Sequence, residues 1–198
     1  MEIIDILVIV SQIIFYILFL GRTIILYKKG IKVWVIGTST KKLFEIILEN
    51  IFVPALVIWS AFVILSALRV NLPPLISNYL VNITWLKYAG IALCYTGLVI
   101  FLLALIAFGK SWRIGIDENN SGELITTGIF HFSRNPIFLF MDLYFTGTML
   151  IYPNIVLTVI TVCTVAGIHL QIIREEKFLQ SEFGEQYTEY RKHTRRYF

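Results

Sequence analysis

The chain is predicted to be all-α, a polytopic membrane helix bundle of about five transmembrane helices with a C-terminal helical hairpin and an amphipathic cytoplasmic tail. Two observations carry this. Of its 198 residues 57% are hydrophobic and only 15% charged, with a mean hydropathy of +0.76. That excess is gathered into runs of about the length needed to cross a bilayer core, roughly 20 residues. A third observation orients the bundle: the basic residues fall almost entirely on alternate sides of those runs.

The first run spans about Ile3 to Tyr27, broken by Asp5, Ser11, Gln12 and Gly21 before Arg22 near its end. It lacks a basic leading segment and a small-residue cleavage site, so it is expected to be a retained helix. The loop 28–42 carries five lysines, and the second run, about Leu43 to Leu68, holds Glu45 and Glu49 in its first turns and Pro54 inside. Early glutamates suit the helix dipole, and a membrane helix tolerates the proline. A turn-rich connection, 69–84, leads to a third run from about Trp85 to Phe108.

The polar segment 109–135 is far longer than a typical helix–helix connection. Asn135-Pro136 then opens a fourth run to about Tyr152, with proline at a first-turn position where its missing N–H costs nothing. Only Pro153-Asn154 separates this run from the fifth, about Ile155 to Ile173, which predicts a tight helical hairpin. In the tail 174–198, Leu179, Phe183, Tyr187 and Tyr190 recur at helical spacing and make one apolar stripe.

Loop 28–42, segment 109–135 and the tail together hold fourteen Lys and Arg, against Arg69 and Lys87 on the other side. The positive-inside rule therefore places the N-terminus out and the C-terminus and both polar clusters on the cytoplasmic side. We expect one membrane domain over 1–198, with three apolar spans in 1–108 and a long polar loop, hairpin and tail in 109–198. Cys94 and Cys163 lie inside apolar runs with no neighbouring ligand pattern, and the three histidines show no mutual spacing, so a metal site is not expected.

Two clusters carry the candidate chemistry. In the first, Arg134 precedes a helix start that itself favours anions. In the second, Gln171, Arg174 and Glu175 are spaced to share one helix face, with Glu176 about a quarter turn away. The hairpin puts the two clusters at the same depth. Asp142, four residues beyond Phe138, is a carboxylate within a span and so a functional or buried-pairing candidate.

The order Gly-x-x-Trp112, Leu124-Ile125-x-x-Gly128-Ile129-Phe130, Arg134-Asn135-Pro136-x-Phe138, then Glu175-Glu176-x-x-Leu179-x-x-x-Phe183-Gly184-x-x-Tyr187-x-x-Tyr190 resembles the isoprenylcysteine carboxyl methyltransferase and phospholipid methyltransferase superfamily. The resemblance covers roughly residues 109–192. It implies an integral-membrane enzyme using S-adenosyl-L-methionine, with a lipophilic or lipid-modified substrate entering from the bilayer. Carried over by position, Gly122, Glu123, Leu124 and Ile125 match the stretch against the adenosine part, and Phe130 an aromatic at the cofactor. Asn135, Pro136, Ile137 and Phe138 match the family's His-Pro-x-Tyr stretch, Arg134 adjoins it, and Glu175 matches a cofactor-binding glutamate. Gln171 stands where the prenylcysteine enzymes place a substrate-binding arginine, with Arg174 as a substitute. Asn135 replaces the usual histidine, and Phe130 and Phe138 replace tyrosines. Asp142 and Glu176 are the candidates for a general base if the acceptor needs one. The competing readings are an NADPH-dependent sterol or steroid reductase, and a non-catalytic protein of the same fold.

Overall fold

The computed structural model describes residues 2–31, 33, 43–112 and 123–197. Among the described residues six α-helices follow one another: α1 (Ile3–Lys28), α2 (Leu43–Ala67), the single turn α3 (Pro74–Ser77), α4 (Thr84–Phe108), α5 (Pro136–Ile151) and α6 (Ile155–His193). The five long helices start and stop within about a residue of the apolar runs, apart from the end of α6. By length and composition α1, α4 and α6 suffice to cross a membrane; α5, at 16 residues, is shorter. Apolar side chains such as Ile6, Ile13, Ile17, Leu102, Ile106 and Val162 stay exposed on the outer faces. Such faces suit lipid contact and would be poorly tolerated in water.

The densest packing is α5 against α4. Two glycines allow it. A Cβ on Gly90 would lie 2.5 Å from the Gly147 carbonyl oxygen, and one on Gly147 would lie 2.6 Å from the Cys94 sulfur. Small residues at a crossing let helix backbones approach, the main source of association where lipid is as apolar as the side chains. Toward the other end of this pair an aromatic cluster fills the space to α1 and α2. Phe101 stacks on Phe140 at 4.5 Å, and Trp59 lies 4.3 Å from Phe145. Two polar pairs form inside: Ser11 with the Tyr144 hydroxyl at 2.9 Å, and Tyr16 with Ser60 at 2.6 Å.

The two-residue hairpin between α5 and α6 forms as expected. Asn154 caps α6, its side-chain oxygen accepting from the Leu157 N–H at 2.9 Å. Satisfying an orphan amide in this way fixes where the helix begins. The end of α6 differs from expectation. The expected fifth span and the separate tail are one helix, which continues to His193 with a break at Gly184, where φ is 51°. Only glycine enters that region readily. The apolar stripe is real: Tyr187 is fully buried, and Leu179, Phe183 and Tyr190 are half-buried.

Candidate active site

Past His193 the chain turns back as a short extended strap, Thr194–Tyr197, beside the segment leading into α5. Ser133 and Arg195 form a parallel bridge, and the Arg134 N–H donates to the Arg195 carbonyl at 3.0 Å. Tyr190 donates its hydroxyl to the Phe130 carbonyl, and Thr194 donates to the His131 carbonyl at 3.3 Å. The strap therefore pins the Phe130–Asn135 stretch against the last turns of α6.

Glu176 is the centre of this junction. Its Oε1 accepts from Arg134 Nη2 at 2.9 Å and Asn135 Nδ2 at 3.2 Å, and its Oε2 from Arg196 Nη2 at 2.7 Å. The Glu176 and Arg134 side chains are 7% and 9% exposed. A carboxylate removed from water to that degree persists as an ion only when paired and hydrogen-bonded, as it is here. Burial alone would raise its pKa, but the hydrogen bonds from Arg196 and Arg134 outweigh it and hold Glu176 below the ordinary carboxylate value. Arg134 also donates to the Thr194 carbonyl, and Asn135 to the Arg196 carbonyl at 3.2 Å.

The two polar clusters thus meet as their spacing predicts, but through Glu176. Arg134 and Asn135 spend their donors on Glu176 and the strap. Glu175 points elsewhere, is half-buried, and accepts no hydrogen bond among the described residues. Burial, and then the charge of Glu176, push its carboxyl up to about 7. Asp142, about a turn and a half into α5, also keeps a buried Oδ1 without a partner. Tyr197 of the strap lies near it: burial first, then the Asp142 charge, raise the phenol above its usual value. The Tyr197 hydroxyl contacts His169 Nδ1 of α6 at 3.1 Å.

The other candidates are placed as follows. Phe130 is buried and meets Phe108 edge-on at 4.8 Å; Pro136 is buried; Leu124, Ile125, Ile137 and Phe138 are half-buried, and Glu123 is exposed. Gln171 and Arg174 are half-buried on α6 beside Glu175. Gly122 lies outside the described residues. Sequence reasoning missed the strap. Arg196 counted only as a topology charge, and Tyr197 and His169 were assigned nothing. The available signal was the Thr-Arg-Arg-Tyr run after the apolar stripe.

The chemistry of this corner is that of a cation host. Among the described residues Asp142, near Tyr197 of the strap, and Glu175, next to Glu176 in the chain, have no hydrogen-bond donor, and Phe138 lies one turn below Asp142. That donor set fits a ligand carrying positive charge, such as the sulfonium and ammonium groups of S-adenosylmethionine.

Comparison with known proteins gives the family. Over 114 residues the chain is 26% identical to the Protein-S-isoprenylcysteine O-methyltransferase of Tribolium castaneum, covering 56% of this chain. The match takes in 41% of that relative, so this chain spans well under two thirds of its length. The phospholipid methyltransferase family model matches residues 85–186, from the start of α4 past the Gly184 break. The matched region includes Arg134, Asn135, Asp142, Glu175 and Glu176 and stops before the strap. Because it takes in more than half of the chain, the protein belongs to the phospholipid methyltransferase family.

Proposed function

We propose that this chain is an integral-membrane methyltransferase that uses S-adenosyl-L-methionine and acts on a lipophilic acceptor, a lipid or prenylated molecule, at the cytoplasmic interface. The observation that carries it is that two carboxylates inside the family-matched region, Asp142 and Glu175, have no hydrogen-bond donor among the described residues. The single membrane domain, with the N-terminus out and the Glu176 junction on the cytoplasmic side, follows from the basic-residue count.

In this reading Glu175 binds the cofactor's positive charge, and Phe130, Asn135, Pro136, Ile137 and Phe138 shape the wall. Leu124 and Ile125, with Glu123, line the adenosine side, and Gln171 and Arg174 face the acceptor. When bound, S-adenosylmethionine supplies a methyl group already activated by its sulfonium. The protein's remaining task is alignment. Holding the acceptor in line is worth several kcal/mol, up to roughly 7–11 in the best cases. The Glu176 junction contributes by fixing the Arg134–Phe138 backbone, so Glu176 acts as a positioning residue. Asp142 remains the group to take a proton from an amine or hydroxyl acceptor.

Gln171 in place of arginine removes the fixed fork that would hold a carboxylate, so the acceptor is expected to be something other than a prenylcysteine carboxylate. Isothermal titration of the purified protein with S-adenosylmethionine, S-adenosylhomocysteine and NADPH tests the assignment. Binding of the first two is expected, and binding of NADPH alone would sink it. Lipid-extract labelling with a methyl-labelled cofactor then identifies the acceptor.

A further inference from the structure

The end of the bundle opposite Glu176 holds a second polar cavity, of about 510 Å³. Its walls come from the start of α1, the connection between α2 and α4, and the α5–α6 hairpin. A cavity of that volume is in the range of small-molecule sites, roughly 300–1,000 Å³. It is separated from the Glu176 junction by the whole length of α5, 16 residues or about 24 Å.

Its charges divide into two kinds. Asp5 is spent on the fold: Oδ2 accepts from the Glu2 N–H at 2.7 Å and Arg69 Nε at 3.1 Å, and Oδ1 from the Tyr152 hydroxyl at 3.0 Å. Lys87 is different. It lies 5.6 Å from the centre of the Tyr79 ring and forms no ion pair among the described residues. Asn71, Asn82 and Ser77 line the same space, and their side chains make no hydrogen bond to any described residue. Glu2, 59% exposed at its side chain, sits on the rim and is bonded to Arg69 Nη2 at 2.6 Å.

A backbone observation sets Arg69 apart. It follows α2 with φ 53°, the only non-glycine residue at positive φ among those described. Its N–H donates to the Ser66 carbonyl and that of Val70 to the Leu65 carbonyl, a helix-end motif in which glycine is the usual occupant. An arginine held in a disfavoured conformation at a cavity wall is the kind of strain that points to function. Leu80, Val81, Ile83, Trp85 and Tyr88, neighbours in sequence of the lining residues Tyr79, Asn82 and Lys87, are exposed, as expected of residues at a membrane–water interface.

We propose that this cavity binds a zwitterionic phosphodiester. The phosphate sits against Lys87 and the Asn71 and Asn82 amides, and the amine against Glu2. Such a group is carried both by a membrane phospholipid and by a soluble glycerophosphodiester, and the test separates the two.

The full chain in detergent micelles is titrated with dihexanoyl phosphatidylethanolamine, with glycerophosphoethanolamine and with inorganic phosphate. Lys87→Gln is expected to weaken the diester binding by about tenfold and Glu2→Gln by about threefold, as lost charge-assisted contacts do. Glu175→Gln, at the other end, is expected to leave this binding unchanged. Binding of the acylated probe alone names a lipid; binding of the water-soluble diester with equal affinity names the headgroup itself. Inorganic phosphate binding as tightly as the diesters would reduce the cavity to a plain anion site and overturn the zwitterion assignment. Absence of diester binding, or binding unaffected by Lys87→Gln, would overturn the proposal entirely.

Discussion

Each end of this helix bundle has an arginine–carboxylate cluster, and the two are built on opposite terms. Around Glu176 the carboxylate and Arg134 are out of water, at 7% and 9% exposed, and only Arg196 of the strap, at 37%, reaches solvent. Around Asp5 the carboxylate is buried, but Arg69 is 52% exposed and an open cavity adjoins it. Charges that keep their water gain little from pairing and lose little when unpaired, whereas a desolvated charge depends on its partner. The Glu176 junction is therefore a fixed part of the site's frame, and the Asp5 end is free to exchange water for a ligand.

The largest effect that would sharpen this contrast is expected from Glu176→Gln. Two guanidiniums would then face each other without a carboxylate, at a cost of about 3–5 kcal/mol. Thermal unfolding in detergent should show the loss, and a change under about 1 kcal/mol would mean the junction is as wet as the other end. Glu175→Gln should leave stability nearly unchanged while weakening S-adenosylmethionine binding by about tenfold.

Acidity separates the two glutamates further. Glu175, raised to about 7 in the free protein, must ionise to host a cation, so cofactor binding should tighten as pH rises through about 7. A flat profile between pH 6 and 8 would remove Glu175 from the site. Glu176 is held below its ordinary value, so the stability it contributes is present above about 4.5 and is lost as pH falls through the lower folded value. Hydrogen exchange in Thr194–Tyr197 should rise over that acid range. The smallest effect is expected from Arg69→Gly. Relief of the positive φ offsets the loss of the exposed pair with Glu2 and of one donor to the buried Asp5, which keeps the Tyr152 hydroxyl and the Glu2 N–H, leaving stability within about 1 kcal/mol. A loss above 2 kcal/mol would show that the cavity wall is a structural linchpin.

The helices were legible because lipid asks so little of them: a long apolar run has one way to satisfy its backbone there. Asn154 and the two-residue hairpin were legible for the same local reason. Local pattern could not tell Glu175 from Glu176 as the partner of Arg134, because that depends on the rotation of α6 against α5. Nor could it reveal that Arg196 completes the junction. Such pairings depend on three-dimensional position, and the extended strap has no periodicity to announce it. The continuation of α6 past Ile173 was hidden by a change of solvent, from lipid to interface, with no change of conformation.

The strap has a consequence for how the protein is made. Arg134 and Asn135 are bonded to residues about sixty positions later in the chain, at Thr194 and Arg196. At roughly 5–20 residues per second, a ribosome needs several seconds to cover that distance. Through that interval α5 can already be in the bilayer while the junction at its entrance is incomplete. The membrane bundle and the site are thus separate events in biosynthesis, and a chain halted before Arg196 would have the first without the second.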